Sequence, residues 1–106
     1  MNSRHSILIS ILSGHFGREN GITMRELQPL IGQCERRVRQ YISNLRKEGY
    51  AICGTPLGGY YVAATAEEME ETCRFLRSRA MHSLVLEARL RKIPLADLLG
   101  QLPIPT

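Results

Sequence analysis

The stretch CERRVRQYISNLRKEGYAI, residues 34 to 52, holds five of the chain's fourteen Lys and Arg residues, interleaved with Val38, Tyr41, Ile42 and Leu45. The chemistry these residues offer is recognition rather than bond-making. A guanidinium presents a planar fork of donors that grips guanine O6 and N7, or a phosphate, through two hydrogen bonds. A glutamine amide pairs adenine N6 and N7 in the same way. Arg36, Arg37, Gln40 and Ser43 are therefore candidates for contacts to base edges, and Arg39, Arg46 and Lys47 for contacts to phosphates. The competing reading is that any solvated helix face carries Arg and Gln. Only the surrounding elements decide between the two.

Little else in the chain has reactive spacing. His5, His15 and His82 with Cys34, Cys53 and Cys73 form neither a C-x-x-C nor an H-x-x-x-H, so no metal site is expected. No nucleophile–base pair, phosphate loop or paired carboxylates stand out, which argues for a binding protein and against an enzyme. No cofactor is expected. Three widely spaced cysteines do not make a disulfide framework, and reduced thiols in a cytoplasm are the simpler expectation. No apolar run approaches the roughly 20 residues of a membrane span. No small-molecule ligand is evident.

Composition places these residues in a soluble globular chain, 43% apolar and 23% charged over 106 residues. The net charge of +4 is uneven. Residues 1–65 carry eight Arg and Lys against four Glu, and residues 66–106 carry six of each sign. The excess that favours a polyanion thus lies wholly in the N-terminal part.

The elements that must position the basic stretch can be read from period and punctuation. Ile7, Leu8, Ile11, Leu12 and Phe16 form an amphipathic stripe, which predicts a first helix over 3–17. Thr23-Met-Arg-Glu26 is a capping box opening a second helix, with Leu27, Leu30 and Ile31 on its apolar face. Pro29 predicts that this helix is kinked or very short. After the turn at Gly32-Gln33, a third helix is expected over 35–48, with Gly49 in the left-handed position that ends it. At about 100° per residue, Tyr41, Ile42 and Leu45 cluster with Val38. Arg36, Gln40, Ser43 and Lys47 fall on the opposite face, flanked by Arg37 and Asn44. YAICG and YYVAA then read as two short strands around a turn at 55–59. Tyr41 belongs to the core. Of Tyr60 and Tyr61, one is expected on the core and the other facing out. The resulting fold class is mainly α with a small β-hairpin.

The stretch TMRELQPLIGQCERRVRQYISNLRKEGYAICGTPLGGYYV, Thr23 to Val62, resembles the small winged helix-turn-helix domains of biotin-ligase repressors and of WYL-type bacterial regulators. The resemblance rests on the capped second helix, the Gly32 turn, RRVRQYISNLRKEGYAI and the closing GGYYV. It implies that the third helix enters the major groove of double-stranded DNA and that the hairpin lies along the backbone. The chain departs from these families in three places. Cys34 stands at the helix-three cap where Ser is usual, and a thiol accepts hydrogen bonds poorly. Pro29 intrudes on the second helix. The wing, 54 to 59, has no Arg or Lys, which leaves Thr55 and backbone N–H groups to meet phosphate.

Thr65 opens a second capping box with Glu68, and a fourth helix is expected to run unbroken to Lys92, roughly 40 Å. The acidic 67–71 stretch and the basic Arg89, Arg91 and Lys92 suit the two ends of its dipole. Met69, Cys73, Leu76, Ala80 and Leu84 make one stripe, and Met81, Val85 and Ala88 widen it. A small winged core cannot cover all of this, so the tail 95–102 or a second copy must. Residues 1–64 are expected as the DNA-binding domain and 65–106 as the dimerisation element, with Leu76, Ala80, Met81, Leu84, Val85 and Ala88 at the interface. A dimeric transcriptional regulator would bind an inverted repeat with half-sites about 34 Å apart or a multiple of it. The alternative is a winged-helix adaptor that binds proteins in a replication or assembly complex.

Overall fold

The computed structural model describes residues 3–55 and 59–103. Along them the chain forms α1 (Ser3–Leu12), a 3-10 turn (Arg18–Asn20), α2 (Met24–Ile31), α3 (Glu35–Lys47), β1 (Ile52–Thr55), β2 (Gly59–Val62), α4 (Ala66–Arg91) and α5 (Leu95–Gln101). The expected architecture, mainly α with one small antiparallel hairpin and a long helix, is the one observed. The chain divides into two compact units, Met1–Thr72 and Cys73–Thr106, so the boundary falls within α4.

In the first unit the core grows from the apolar faces of three helices. Leu8 of α1, Leu27 of α2, and Val38 and Leu45 of α3 are wholly buried. Leu12, Ile31, Tyr41 and Ile42 complete the helical part, and Ile22 and Ile52 join it from the sheet. The four expected apolar residues of α3 are thus the four that face inward. His5 of α1 meets Tyr41 edge-on at 4.9 Å between ring centres. The Arg4 guanidinium reaches from α1 to the last carbonyl of α2, donating to Ile31 O at 2.8 Å.

The first helix is shorter than its stripe predicts, ending at Leu12 instead of residue 17. The Ser13 hydroxyl donates to Ser10 O, and the chain then leaves the helix. Residues 15–17 pair with β2: Val62 N donates to His15 O and Gly17 N to Val62 O, each at 2.8 Å. Phe16, assigned to the helical stripe, is consequently 58% exposed. Strand pairing with a distant residue outbids one more helical turn here, and local periodicity carries no sign of it.

The second helix obeys its capping box. Thr23 Oγ1 accepts from Glu26 N, and the Glu26 carboxylate accepts from Thr23 N. Pro29 lies inside the helix, which is only eight residues long. Gly49 takes the left-handed conformation expected of it, φ 102°.

The hairpin pairs Ile52 with Val62 and Thr55 with Gly59. Ile22 adds a one-residue third strand: Tyr60 and Ile22 exchange both N–H to O bonds, at 2.7 and 2.8 Å. Both faces of the hairpin are covered. Tyr60 packs on the helical core. Cys53 and Tyr61, on the other face, are 1% and 2% exposed. Beside them Gly54 N donates to Thr72 Oγ1 of α4. The expectation that one tyrosine faces solvent is therefore wrong, because the first turns of α4 close the face it would occupy. The outer edge of β1 is blunted as well. Arg46 Nε donates to Ile52 O at 2.7 Å, and Thr72 meets the next outward group, so the strand offers few open partners for edge pairing.

Gly59 holds the tightest backbone approach. Its φ is 78°, and a Cβ there would sit 2.8 Å from the Ile22 carbonyl carbon and oxygen. Strain at φ > 0 alone costs about 1–3 kcal/mol, and the backbone contact adds to it. Gly59→Ala is expected to lower the urea midpoint by at least that amount of stability, and amide exchange at Ile22 and Tyr60 should quicken.

Glu68 ties the start of α4 to the first unit. Thr65 Oγ1 caps Glu68 N at 3.1 Å, and the Glu68 carboxylate accepts from Ala64 N and from Arg18 N, each at 2.8 Å. These bonds, from Arg18 N first and Ala64 N next, hold the Glu68 carboxyl below its usual 4.5. A depressed folded value means that the stabilisation is complete above 4.5 and is lost as pH falls through that lower value. Glu68→Gln is therefore expected to be less stable than wild type at neutral pH. Urea titrations from pH about 7 into acid should show the gap narrowing once the pH has fallen below the depressed value of the native carboxyl.

The second unit consists of the rest of α4 and α5. Lys92 closes α4 with φ 59°, and Ile93 N donates back to Ala88 O. Pro94 then starts α5, so the expected tail over 95–102 is a helix. Among the described residues of this unit Ala88 and Leu98 are buried, 3% and 2% exposed.

Candidate nucleic-acid interface

The solvent face of α3 is built by exclusion. Val38, Tyr41, Ile42 and Leu45 occupy the buried side, so the residues between them must point away. Arg36, Arg37, Arg39, Gln40, Ser43 and Lys47 are all exposed, and Asn44 is half-buried at the margin. Hydrogen-bond donors and cationic groups thus line one face of a helix whose other face is locked into the core. A rigid helix presenting an Arg fork costs less ordering entropy than the same residues on a loop.

Individual residues differ in what else they do. Arg39 pairs with Glu35 one turn earlier, Nη2 to Oε1 at 2.7 Å, with both side chains at least half exposed. Such an exposed pair contributes little and can open for a phosphate. Arg46 is otherwise engaged. Its Nε donates to Ile52 O and fastens the end of α3 to β1, so the phosphate contact considered for it from sequence would fall to its Nη groups. Cys34 occupies the N-cap of α3 with no side-chain cap bond, in keeping with a poorly accepting thiol. Glu35 in the first turn and Arg46 and Lys47 in the last suit the helix dipole. Thr55 belongs to β1, but its side chain and the turn 56–58 lie outside the described residues, and with them the expected wing contact.

Arg25 was not singled out from sequence. It is exposed on α2, the helix that packs directly on α3. The signal was available in the basic residue just inside the capping box. Arg18 is also cationic and exposed, but it faces acid. It pairs with Glu71, and the Tyr61 hydroxyl followed by that carboxylate hold its guanidinium more firmly charged than usual.

A second surface feature is apolar. Ile9, Leu12, Phe16, Tyr50, Ile52 and Val62 line a groove of ≈ 310 Å³, together with Ser13 and Ala51. Phe16 and Tyr50 stand 58% and 41% exposed at its margin. None of the exposed residues of α3 lines it. The groove exists because α1 ends early and Phe16 crosses to β2, which is why sequence periodicity did not foresee it.

The residues expected at a dimer interface fall into two groups. Leu76 and Ala80 are exposed, and Met81, Leu84 and Val85 are half-buried. Ala88 is buried within the chain itself, which removes it from any surface a second copy could meet. Among the described residues there is no group of three or more His, Cys, Asp or Glu placed to hold a metal ion, and no helix long and apolar enough to cross a membrane. Comparison of the chain with protein-family models, with curated proteins and with solved structures finds no match.

Proposed function

We propose that this chain binds double-stranded DNA in a sequence-specific manner, as a homodimer, and serves as a transcriptional regulator of the bacterial or phage type. The observation that carries the reading is the α3 surface: Arg36, Arg37, Gln40, Ser43 and Lys47 exposed together on the face opposite four buried core residues. In the proposed complex α3 lies in the major groove. Arg36, Arg37 and Gln40 reach base edges, Ser43 and Asn44 lie close by, and Arg39 and Lys47 meet phosphates. The helix-helix-turn-helix-hairpin order supports this reading, as does a charge excess confined to the N-terminal part.

Fluorescence anisotropy with labelled random duplex, across a salt series, tests it. Log K should fall linearly with log salt, with a slope of about −0.9 for each phosphate neutralised. Absence of binding even at low salt would overturn the reading. The adaptor reading would then lead, because the apolar groove bounded by Phe16 and Tyr50 is the kind of surface that takes an apolar side chain of a partner protein.

A further inference from the structure

We propose that Arg4 is a positioning residue for the α3 surface: by clamping the turn between α2 and α3 it holds the end of α3 that carries Arg36 and Arg37. The proposal rests on the DNA-binding reading above and names a group on which its specificity depends.

The two helices on either side of the turn start differently. α2 opens on a complete capping box, in which Thr23 and Glu26 satisfy each other's backbone N–H groups. α3 has no such device. Cys34 stands at its N-cap in extended conformation, φ −71° and ψ 163°, and its side chain makes no cap bond. The first N–H groups of a helix have no partner within it, so an uncapped start frays more readily. In α3 that start is the turn from Glu35 to Arg37. The other end is well secured, because Arg46 Nε donates to Ile52 O and Tyr50 N to Leu45 O.

Arg4 supplies from α1 what the local sequence lacks. It is half-buried, and its Nη1 donates to Ile31 O at 2.8 Å. Ile31 ends α2, where carbonyls have no helical partner and a positive charge is favoured. The Gln33 amide faces the same guanidinium. An arginine only donates, so the amide must present its oxygen. That oxygen accepts from Nε at 2.9 Å and from Nη1 at 3.0 Å. Between the two acceptor residues lies Gly32, left-handed at φ 73°. One fork thus grips the chain on both sides of the turn, and its second grip is on the residue next to the Cys34 N-cap. A lysine would keep the charge, but its ammonium lacks the planar fork that reaches two acceptors from fixed directions.

The consequence is for base reading more than for affinity in general. Base contacts tolerate displacement poorly, about 0.5 Å or 10–20°. Phosphate contacts work largely through charge and carry no sequence information. Loosening of the first turn of α3 therefore falls on Arg36 and Arg37, and not on Lys47 at the secured end.

Three variants of the full chain test this: Arg4→Lys, Gln33→Ala and Gln33→Ala/Cys34→Ser. The probes are a labelled random duplex and the tightest duplex that the wild-type chain selects from a random pool. Arg4→Lys and Gln33→Ala are each expected to lose about tenfold on the selected duplex, the order of one base contact. Affinity for the random duplex and its salt slope should stay close to wild type. Without DNA, amide exchange at Val38, whose N–H donates to Cys34 O at 3.0 Å, should quicken about fivefold, the weight of one helix cap. Cys34→Ser returns a local cap, so the double variant should recover both properties. A Gln33→Ala chain that matches wild type in selected-duplex affinity and in Val38 exchange would overturn the proposal. So would a loss in Gln33→Ala that Arg4→Lys does not share and Cys34→Ser does not restore, which would mark Gln33 as a DNA contact itself. A wild-type chain that binds or selects no duplex would overturn the DNA reading and the positioning role with it, while Val38 exchange in the same variants would still decide whether the clamp holds α3.

Discussion

Replacing Arg36 and Arg37 together by alanine is expected to lower affinity for duplex DNA by roughly 10²-fold or more and to leave the fold intact. Each side chain is exposed and makes no contact that the core requires. A well-formed Arg contact to a base is worth about 1–3 kcal/mol, so two together come to about 30-fold at the low end and pass a hundredfold once each contributes about 1.4 kcal/mol. The salt series separates two kinds of loss. If both residues read bases, affinity for a selected site falls while the slope of log K against log salt changes little. If they meet phosphates, the slope shrinks by about one for each residue removed, and affinity falls alike on all sequences. Circular dichroism and the urea midpoint should match wild type. Unchanged affinity in the double variant would remove α3 from the interface.

Leu45→Ala is expected to cost about 2–5 kcal/mol, because Leu45 is wholly buried and its removal leaves a cavity that the neighbouring side chains cannot fill. Against a typical domain stability of about 5–15 kcal/mol this is a large share. The melting temperature should fall by something on the order of 20 °C. Leu45 also lies where α3 hands over to the sheet: its carbonyl accepts from Glu48 N and from Tyr50 N. The variant should therefore lose order first at the C-terminal end of α3, where Lys47 is presented. Urea unfolding at neutral pH gives the size of the loss, and amide exchange locates it. A change below about 0.5 kcal/mol would mean that the first unit does not depend on this packing.

The two variants probe opposite faces of one helix, and their expected effects are separable. Arg36 and Arg37 touch binding without stability, while Leu45 touches stability first and binding through it. This division follows from the way α3 is built. Its buried residues fix where the helix lies, and its exposed residues are then carried in fixed relative positions.

Much of this was legible in the sequence because it depends on short-range physics. The Thr23–Glu26 capping box, the left-handed Gly49 and the inward face of α3 each involve residues within a few positions of one another. Helical period and capping chemistry need no knowledge of distant partners. The same holds for α4, whose opening Thr65 and closing Pro94 bound it to within a residue of expectation.

What only the tertiary structure decided involves partners far apart along the chain. The α1 stripe ran to Phe16, but pairing of residues 15–17 with Val62 ended the helix at Leu12 and opened the groove beside it. Tyr61 alternates with Tyr60 as a surface residue should, yet α4 covers its face of the hairpin. Ala88 belonged to the exposed arc by period and is buried in the second unit. In each case a local pattern named the residue correctly and a long-range contact reassigned its use. Period and capping record only the neighbours a few residues away, whereas burial and hydrogen bonding are settled by whichever distant segment arrives.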